Sequence, residues 1–332
     1  MKVILLAGGE GTRLWPVSRP QLPKQFLSFH SSDTLLQQTI RRFLALVPKE
    51  DILIVTNKKY EEIAKKQADE VHTKLKNSIL VEPESKNTAA AITYALRYLL
   101  DVKNCNPDSL FLVSPTDHFI TPLDSFLETL HLGKSFYSKG TVLFGVRPTG
   151  PDEGYGYMEV ENSGKGTYSL QRFLEKPSFF EAKNLFLSSH TLWNSGIFLD
   201  SALAFLNKLS RLGFCYAAQE FCFLKQSYTA LPRLSIEEAY FEKLKDGIVF
   251  PLQCTWSDIG TWERLYECLK KDENQNVKRG NVSIINSKNC MILSDKKKIS
   301  TIDIEDLFII DSEKELFICK KGSSKKRIKD QV

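Results

Sequence analysis

Short apolar runs alternate with segments of helical period over residues 1–270, and this alternation constrains the fold more than any other feature of the sequence. The apolar runs are residues 2–7, 52–56, 79–81, 110–114 and 142–146. The helical segments are residues 34–47, 60–75 and 88–100. Continuous apolar runs of this length are typical of strands buried on both faces of a sheet. The pattern predicts strand–helix–strand crossovers and an α/β fold with a doubly wound, mainly parallel sheet, whose ligands bind beyond the carboxyl ends of the strands.

The pattern changes after about residue 275. Five short β-like runs follow, at residues 282–285, 290–293, 299–304, 307–310 and 316–319, separated by polar turns. We therefore expect a catalytic domain over residues 1–270, a small β-rich C-terminal domain over residues 276–319, and a basic, disordered tail over residues 320–332. The chain has a net charge of +5, and this tail carries the whole excess. The rest of the chain is electrically balanced, which argues against a nucleic-acid partner.

Composition excludes several classes of protein. The chain is 42% hydrophobic and 26% charged, as expected for a protein with a packed core. Its seven cysteines form no C-x-x-C pair, which favours reduced thiols over disulfides or a zinc site. No apolar run approaches the ~20 residues of a membrane helix, and residues 3–7 are too short for the apolar part of a signal peptide. We expect a cytoplasmic protein without a membrane partner.

A glycine-rich loop follows the first predicted strand. Gly8, Gly9 and Gly11 allow the backbone to approach a ligand closely, and the N–H groups of such a turn can bind an anion. No Lys-Ser/Thr pair follows, so the loop is not a P-loop. Leu14 stands where a dinucleotide fingerprint needs glycine, which argues against a nicotinamide-dependent oxidoreductase. Arg13 and Lys24 add two cations, a combination that favours a triphosphate over a plain strand–helix turn.

Residues 8–19, together with Pro23-Lys24-Gln25-Phe26, resemble the signature of sugar-phosphate nucleotidylyltransferases. Residues 14–19 resemble the mannose-1-phosphate guanylyltransferases (GDP-mannose pyrophosphorylases) in particular. The resemblance covers residues 1 to about 270. It implies the Rossmann-like fold of nucleotide-diphospho-sugar transferases and the reaction of GTP with mannose 1-phosphate to GDP-mannose and pyrophosphate. Longer relatives carry a fused isomerase domain, for which 332 residues leave no room, so we expect no isomerase activity.

The resemblance also implies a nucleotide site. Its expected members are Leu6, Ala7, Gly8, Gly9, Gly11, Thr12, Arg13, Glu82, Asn87, Thr88 and Asp117. Residues 82–89 look like the family segment beside the base and ribose, although Asn87 or Thr88 could simply cap the helix that follows. Many members have proline where this chain has Ala90. Glu82 or nearby carbonyl groups could accept hydrogen bonds from guanine.

A sugar-phosphate site is implied by three further segments. Its expected members are Gly156, Glu175, Lys176 and Asn194. Glu175 would bind sugar hydroxyls and Lys176 the phosphate, although a neighbouring Glu–Lys pair is more often merely solvated. Residues 235–243 resemble a family stretch that we interpret as a wall of the pocket.

The expected catalytic residues are Arg13, Lys24, Asp117 and Asp258. Asp117 follows an apolar strand, where a carboxylate is a natural Mg²⁺ ligand, and Asp258 matches the family's metal-binding aspartate. Mg²⁺ is therefore the expected cofactor. The alternative is that Asp258 caps a helix beginning near Thr261 and Asp117 is a turn residue. We interpret His118 as a structural neighbour, because an ionised phosphate nucleophile needs no general base.

Two other functions stay open on the sequence alone. One is the same chemistry on another sugar 1-phosphate, such as a heptose or fucose derivative. The other is a catalytically silent paralogue that binds a nucleotide sugar and regulates a partner. The four charged catalytic candidates argue against a silent paralogue. A homodimer is the expected assembly.

Overall fold

The structure is a computed structural model that describes residues 1–29, 31–137, 140–164 and 166–324. Within these residues, no helix combines the length and the apolar character needed to cross a membrane. The described chain divides into two compact units. Of the described residues, unit 1 comprises those within 1–8, 36–116 and 120–254, and unit 2 comprises those within 9–35, 117–119 and 255–324. These units differ from the domains expected from sequence, because the glycine loop and residues 255–270 group with the C-terminal β residues.

The strands fall close to the expected positions. They are β1 (Lys2–Leu6), β2 (Ile52–Asn57), β3 (Ile79–Glu82), β4 (Leu110–Pro115), β5 (Phe119–Thr121), β6 (Val142–Val146), β7 (Tyr157–Gly164), β8 (Thr167–Leu174), β9 (Thr191–Ser201), β10 (Ile248–Pro251), β11 (Thr255–Ser257), β12 (Val277–Arg279), β13 (Val282–Ile285), β14 (Met291–Leu293), β15 (Ile299–Ile302), β16 (Leu307–Asp311) and β17 (Leu316–Lys320).

The helices in the three expected segments are also present, each shorter than its segment. The α-helices of the described residues are α1 (Leu35–Leu44), α2 (Glu61–Val71), α3 (Thr88–Arg97), α4 (Leu123–Ser135), α5 (Phe179–Leu187), α6 (Ala202–Arg211), α7 (Phe221–Gln226), α8 (Ile236–Ala239) and α9 (Trp262–Cys268).

Unit 1 is built on a nine-stranded sheet of order β3-β2-β1-β4-β9-β6-β10-β8-β7. The first four strands of this order are parallel, as the sequence predicts. Beyond β4 the sheet is mixed, because β9 runs antiparallel to both β4 and β6. The buried apolar residues of β1, β2 and β4 pack with the alanine-rich face of α3 in one core. The α/β class is confirmed, and the parallel strands bring several strand ends to one edge of the sheet.

Unit 2 contains a stack of short strands. β12, β14 and β16 pair in parallel, and β13 pairs in parallel with β15. The inward residues Val277, Met291 and Phe308 are in register and buried. They share one hydrophobic cluster with Leu14 of the glycine loop and Trp262 of α9. This shared core is the physical reason why the glycine loop belongs to the same compact unit as the C-terminal strands.

The expectation of a disordered tail beginning at residue 320 was wrong for residues 320–324. Lys320 ends β17, and the backbone N–H groups of Gly322 and Ser324 each donate a hydrogen bond of 3.1 Å to Glu263. Ser324 is buried, and its hydroxyl also contacts Glu263. A carboxylate on α9 therefore holds this segment in place. Residues 325–332, the rest of the predicted tail, lie outside the described residues.

Candidate active site

The nucleotide-site residues of unit 1 begin at the end of β1. Leu6 is the last residue of β1, and the Ala7 N–H donates to the carbonyl of Val55 at 2.8 Å. The carbonyl of Gly8 accepts a hydrogen bond of 3.0 Å from the Asn57 side chain. A Cβ atom on Gly8 would lie 3.1 Å from Oε2 of Glu82. Glycine at this position therefore lets the backbone pass close beside the Glu82 carboxyl group.

Glu82 is a buried carboxyl group at the end of β3. The hydroxyl of Tyr228 donates to Oε1 of Glu82 at 2.6 Å. Burial raises the pKa of Glu82 to about 7, although the Tyr228 hydrogen bond works in the opposite direction. The carboxyl group can therefore be protonated or ionised near neutral pH. The buried Oδ1 of nearby Asn57 has no hydrogen-bond partner among the described residues, so this corner of unit 1 holds spare acceptor capacity.

Asn87 caps α3, as one of the two sequence interpretations allowed. Its φ is 72°, and its side-chain oxygen accepts a hydrogen bond of 2.8 Å from the N–H of Thr88. The Thr88 hydroxyl accepts a hydrogen bond of 2.7 Å from the N–H of Ile236. Ala90 is fully buried in the first turn of α3, where a proline would be optional. Both polar side chains thus hold the start of α3, and Asn87 retains its amide N–H donors.

The glycine loop continues into unit 2 at Gly9. Gly11 has a φ of 49°, in the left-handed region, and a Cβ atom on it would lie 2.7 Å from the backbone nitrogen of Lys24. A short 3₁₀ turn, Thr12–Leu14, follows it. The side-chain N–H of Gln25 donates to the carbonyl of Gly9 at 2.7 Å. Only glycine permits this close approach, which places Lys24 beside the loop.

Lys24, Asp117 and Asp258 form the centre of a charged cluster in unit 2. Lys24 is buried, and its Nζ lies 2.9 Å from Oδ2 of Asp117. The same ammonium group donates to the backbone carbonyl of Asp258. Burial is the largest single influence on Asp117 and raises its pKa. The charge and hydrogen bond of Lys24, the neighbouring His118 and a backbone hydrogen bond together outweigh burial and hold the pKa of Asp117 below its ordinary value. Asp117 is therefore an ionised carboxylate at neutral pH.

Arg13 completes this cluster. Its guanidinium lies 3.8 Å from Oδ2 of Asp258, and its side chain is 64% exposed. Oδ1 of Asp258 accepts a hydrogen bond of 3.2 Å from the N–H of Gly260. Asp258 does not cap α9, since Thr261 does so by accepting from the N–H of Arg264 at 3.2 Å. The structure thus rejects the capping alternative for Asp258.

His118 lies beside the cluster. Trp256 donates its indole N–H to Nδ1 of His118 at 3.2 Å, and Nε2 of the ring is 3.7 Å from Oδ1 of Asp117. A neutral ring that accepts at Nδ1 carries its proton on Nε2, on the side of Asp117. The interpretation of His118 as a structural neighbour stays a prediction, and the hydrogen bond from Trp256 is compatible with it.

The four sugar-phosphate residues lie together in unit 1. The carbonyl of Gly156 accepts from the N–H of Asn194 at 2.8 Å, and a Cβ atom on Gly156 would lie 2.7 Å from Oε2 of Glu175. Lys176, with a φ of 45°, turns its ammonium group back onto Oε1 of Glu175. The Lys176 side chain is 53% exposed, so it can also reach an incoming anion.

Two models of protein families match the chain. The nucleotidyl transferase family matches residues 2–275, and the MannoseP isomerase/GMP-like β-helix domain matches residues 280–331. The mannose-1-phosphate guanylyltransferase of Salmonella muenchen is 35% identical over 96% of this chain and 70% of its own length. The chain belongs to the nucleotidyl transferase family, among the mannose-1-phosphate guanylyltransferases.

A further curated relative and two solved structures also match the chain. The alginate biosynthesis protein AlgA of Pseudomonas aeruginosa is 34% identical over 96% of this chain and 69% of its own length. A solved structure titled "mannose-1-phosphate geranyltransferase", from Thermus thermophilus, matches with a TM-score of 0.89 and 26% identity over 99% of this chain and 97% of that chain. A Helicobacter pylori structure titled as a mannose-6-phosphate isomerase matches with a TM-score of 0.62 and 27% identity, over 77% of this chain and 98% of that chain.

The residues expected for a guanylyltransferase fall into three groups. The four catalytic residues lie together in unit 2, and the four sugar-phosphate residues lie together in unit 1. The nucleotide set is divided between the units. Its members in unit 1 are Leu6, Ala7, Gly8, Glu82, Asn87 and Thr88. Its members in unit 2 are Gly9, Gly11, Thr12, Arg13 and Asp117.

The sequence alone did not reveal the contacts of Glu237 and Tyr228 with residues expected in the site. Asn194 donates its side-chain N–H to Oε1 of Glu237 at 3.1 Å, and burial, with Glu175 nearby, raises the pKa of Glu237 to about 7. The sequence carries a signal for Glu237. Ser235 and Glu238 form the capping box of α8, so Glu238 binds the backbone at the start of the helix and the adjacent Glu237 is available for another contact. No local pattern marks Tyr228, which lies 146 positions from its partner Glu82.

Proposed function

We propose that this chain makes GDP-mannose and pyrophosphate from GTP and α-D-mannose 1-phosphate. The observation that carries the proposal is the cluster of Arg13, Lys24, Asp117 and Asp258. In it the Lys24 ammonium contacts the Asp117 carboxylate and the backbone carbonyl of Asp258, and Arg13 lies 3.8 Å from the Asp258 carboxylate. A cluster of this composition suits a polyphosphate. Membership of the guanylyltransferases supplies the substrate pair.

The proposed mechanism is in-line attack of the sugar-phosphate oxygen on the α-phosphorus of GTP, with pyrophosphate leaving. Arg13 and Lys24 offset the negative charge of the triphosphate, and Lys176 binds the incoming phosphate. The nucleophile is already ionised at neutral pH, so His118 need not remove a proton. The protein accelerates such a transfer by positioning the phosphates and stabilising their charge.

We further propose Mg²⁺ as the divalent ion of this site. Within the described residues, no group of three or more acidic, histidine or cysteine side chains is arranged to hold a metal. The ionised carboxylate of Asp117, together with the side chain of Asp258, fits Mg²⁺, which prefers one or two carboxylates and takes its other ligands from water and substrate phosphates. The ion would supply further positive charge to the phosphates. Asp117 and Asp258 are the residues that would hold it.

The test is release of pyrophosphate from a panel of nucleoside triphosphates and sugar 1-phosphates. GTP with mannose 1-phosphate is expected to be the best pair. A higher rate with UTP or dTTP would contradict the guanine assignment, and a higher rate with a heptose or fucose 1-phosphate would contradict the sugar. Absence of release with every pair would overturn the proposal and favour a nucleotide-sugar-binding regulator.

We also propose that the protein acts as a homodimer. Ile285 and Ile302 support this, because they end the paired strands β13 and β15 in register and each is 60% exposed. Exposed isoleucines side by side gain free energy when a second surface covers them. Light scattering checks the mass in solution, and a monomer at micromolar concentration would contradict the dimer.

A cytoplasmic location is the last part of the proposal. It rests on the cysteines, all seven of which lie outside disulfides. Fractionation of cells that express the protein tests it, and recovery in an extracytoplasmic fraction would contradict it.

A further inference from the structure

Unit 2 contains a cavity of about 680 Å³ that none of the expected site residues lines. Its walls come from residues 17–34 after the glycine loop, from Trp262, and from the C-terminal β residues. Two arginines, Arg19 and Arg279, line it, and we call it the Arg19–Arg279 cavity. Its size lies within the range of small-molecule sites, which is about 300–1,000 Å³.

The charges around this cavity are unequally paired. Three acids line the cavity. Asp311 lies 3.1 Å from the ammonium of Lys297 and Glu313 lies 3.7 Å from that of Lys296, whereas Asp295 forms no ion pair among the described residues. The two arginines have neutral partners instead. Arg19 donates to the carbonyl of Pro16 at 3.0 Å and to the hydroxyl of Ser312 at 3.4 Å.

Arg279 donates to the hydroxyl of Ser28 at 3.1 Å and also to the carbonyl of Ser28. Among the described residues, neither Arg19 nor Arg279 forms an ion pair with an acid. Each guanidinium has five N–H donors, so each retains donors for an anion after these bonds. Planar donors of this kind match phosphate oxygens well. Within the described part of the chain, three cations without an ion pair, the two arginines and Lys314, therefore outnumber the one unpaired acid of the lining, Asp295.

The other walls of the cavity are apolar. Val17, Leu22 and Leu27 line it and are partly exposed, so together they would accept the body of a ligand much larger than a phosphate ion. A ring and a phosphate group on one molecule would use both kinds of wall. From this combination we propose that the Arg19–Arg279 cavity binds a nucleotide-sized phosphate ester at a site separate from the catalytic cluster.

Two of the segments that carry the catalytic cluster also form walls of this cavity. Phe26 ends the 3₁₀ turn Lys24–Phe26, whose first residue contacts Asp117. Trp262 lies four residues after Asp258, and its indole N–H donates to the carbonyl of Trp15 at 2.9 Å. A ligand that moves or holds either wall acts on Lys24 or Asp258. Occupation of the cavity therefore changes turnover. This consequence rests on the proposed function, but the binding of a ligand in the cavity does not depend on that function.

Calorimetric titration of the full chain tests the binding. The probes are GDP-mannose, AMP and inorganic phosphate, each with and without saturating GTP. We expect GDP-mannose or AMP to bind at a site that GTP does not displace, and the double variant Arg19→Gln, Arg279→Gln to weaken that site about tenfold or more. Inorganic phosphate should bind more weakly, because it cannot use the apolar walls.

Two exposed lysines provide matched variants with little risk to folding. Lys314 lines the cavity and Lys298 does not. We expect Lys314→Gln to weaken the site about threefold and Lys298→Gln to leave it unchanged. The proposed site is overturned if neither nucleotide binds in the presence of saturating GTP. It is also overturned if the Arg19/Arg279 variant and Lys314→Gln both bind the nucleotide with the same affinity as Lys298→Gln. Phosphate binding as tight as nucleotide binding would overturn the ligand class.

Steady-state rates test the coupling separately. The bound probe should change kcat at saturating GTP in the wild-type chain and not in the Arg19/Arg279 variant. Purely competitive inhibition against GTP, or an equal change of kcat in both proteins, would overturn the coupling. If no substrate pair releases pyrophosphate, the proposed function fails, while the titration still decides the binding site.

Discussion

The charged cluster of unit 2 and the sugar-phosphate cluster of unit 1 both pair a lysine with a carboxylate, but they treat their carboxyl groups in opposite ways. Lys24 is buried against Asp117, whose pKa lies below its ordinary value. Lys176 is half exposed, and the nearby Glu237 has its pKa raised to about 7 by burial. The first cluster holds fixed charges, as phosphate binding requires. In the second, the Glu237 carboxyl can be a hydrogen-bond donor when protonated or only an acceptor when ionised, and both kinds of partner suit neutral hydroxyl groups.

The largest expected effect follows from removing a fixed carboxylate. Asp117→Asn and Asp258→Asn should each lower kcat by about 10²–10³ or more, because each loses charge that positions the metal and the phosphates. Both variants should also show a weaker dependence on Mg²⁺ concentration. Rate measurements across a Mg²⁺ titration check this, with thermal melting to confirm folding. Glu273 is an exposed acid in the same unit, and Glu273→Gln is the control. Near-wild-type turnover of Asp258→Asn would exclude Asp258 from the site.

The two exposed cations should separate binding from catalysis. Lys176→Ala should raise the KM for mannose 1-phosphate by about tenfold or more, because it removes a charge-assisted contact to the phosphate. Arg13→Ala should chiefly lower kcat, if its charge acts in the transition state. Initial rates with each substrate varied in turn measure both effects. If both variants changed only the affinity for GTP, the roles given to the two cations would be wrong.

Glu82 should make stability depend on pH in the direction opposite to a salt-bridged carboxylate. Its folded pKa of about 7 exceeds the ordinary 4.5, so the folded protein binds the extra proton between these values. The associated stability is present below about pH 4.5 and is lost as the pH rises through 7. The free energy of unfolding of Glu82→Gln, relative to wild type, should therefore increase by on the order of 2–3 kcal/mol as the pH rises from 5 to 8. Urea unfolding at both pH values measures this, with exposed Glu128→Gln as control, and equal differences at both would contradict it.

Truncation at the C-terminus should distinguish residues 320–324 from those that follow. Deleting residues 325–332 should leave activity and Tm nearly unchanged. Deleting residues 320–332 should lower stability by about 1–3 kcal/mol, since it strands the Glu263 carboxylate without its hydrogen-bond donors. Thermal melts of the two truncations measure the difference. Identical melts would show that the contacts to Glu263 contribute nothing.

The smallest expected effect concerns Glu237. The KM for mannose 1-phosphate should rise by about two- to fivefold between pH 6 and pH 8, because an ionised Glu237 adds negative charge near a phosphate-bearing substrate. Glu237→Gln retains an acceptor for Asn194 but does not ionise, so its KM should change less over this range. The variant also controls for titration of the substrate itself. Parallel KM profiles for the two proteins would exclude Glu237 as the titrating group.

Much of the fold and of the candidate site could be predicted from local patterns. The strands of the first half and the helices between them follow from apolar runs and helical spacing, since both patterns reflect burial within a few residues of chain. The glycine loop and its cations could be read in the same way, because left-handed backbone and close approach require glycine at Gly11. The resemblance to the guanylyltransferases supplied the sugar, which no local pattern could specify.

The sequence by itself determined the α/β class and the family, and it supplied the four charged residues that the structure places together in unit 2. Only the tertiary structure decided which residues share an environment. It grouped the glycine loop with the C-terminal strands, assigned the cap of α9 to Thr261 instead of Asp258, and placed Tyr228 on Glu82. Burial and partners far apart in the chain set the pKa of Glu82, of Asp117 and of Glu237. These quantities depend on long-range packing, and no periodicity of the sequence encodes them.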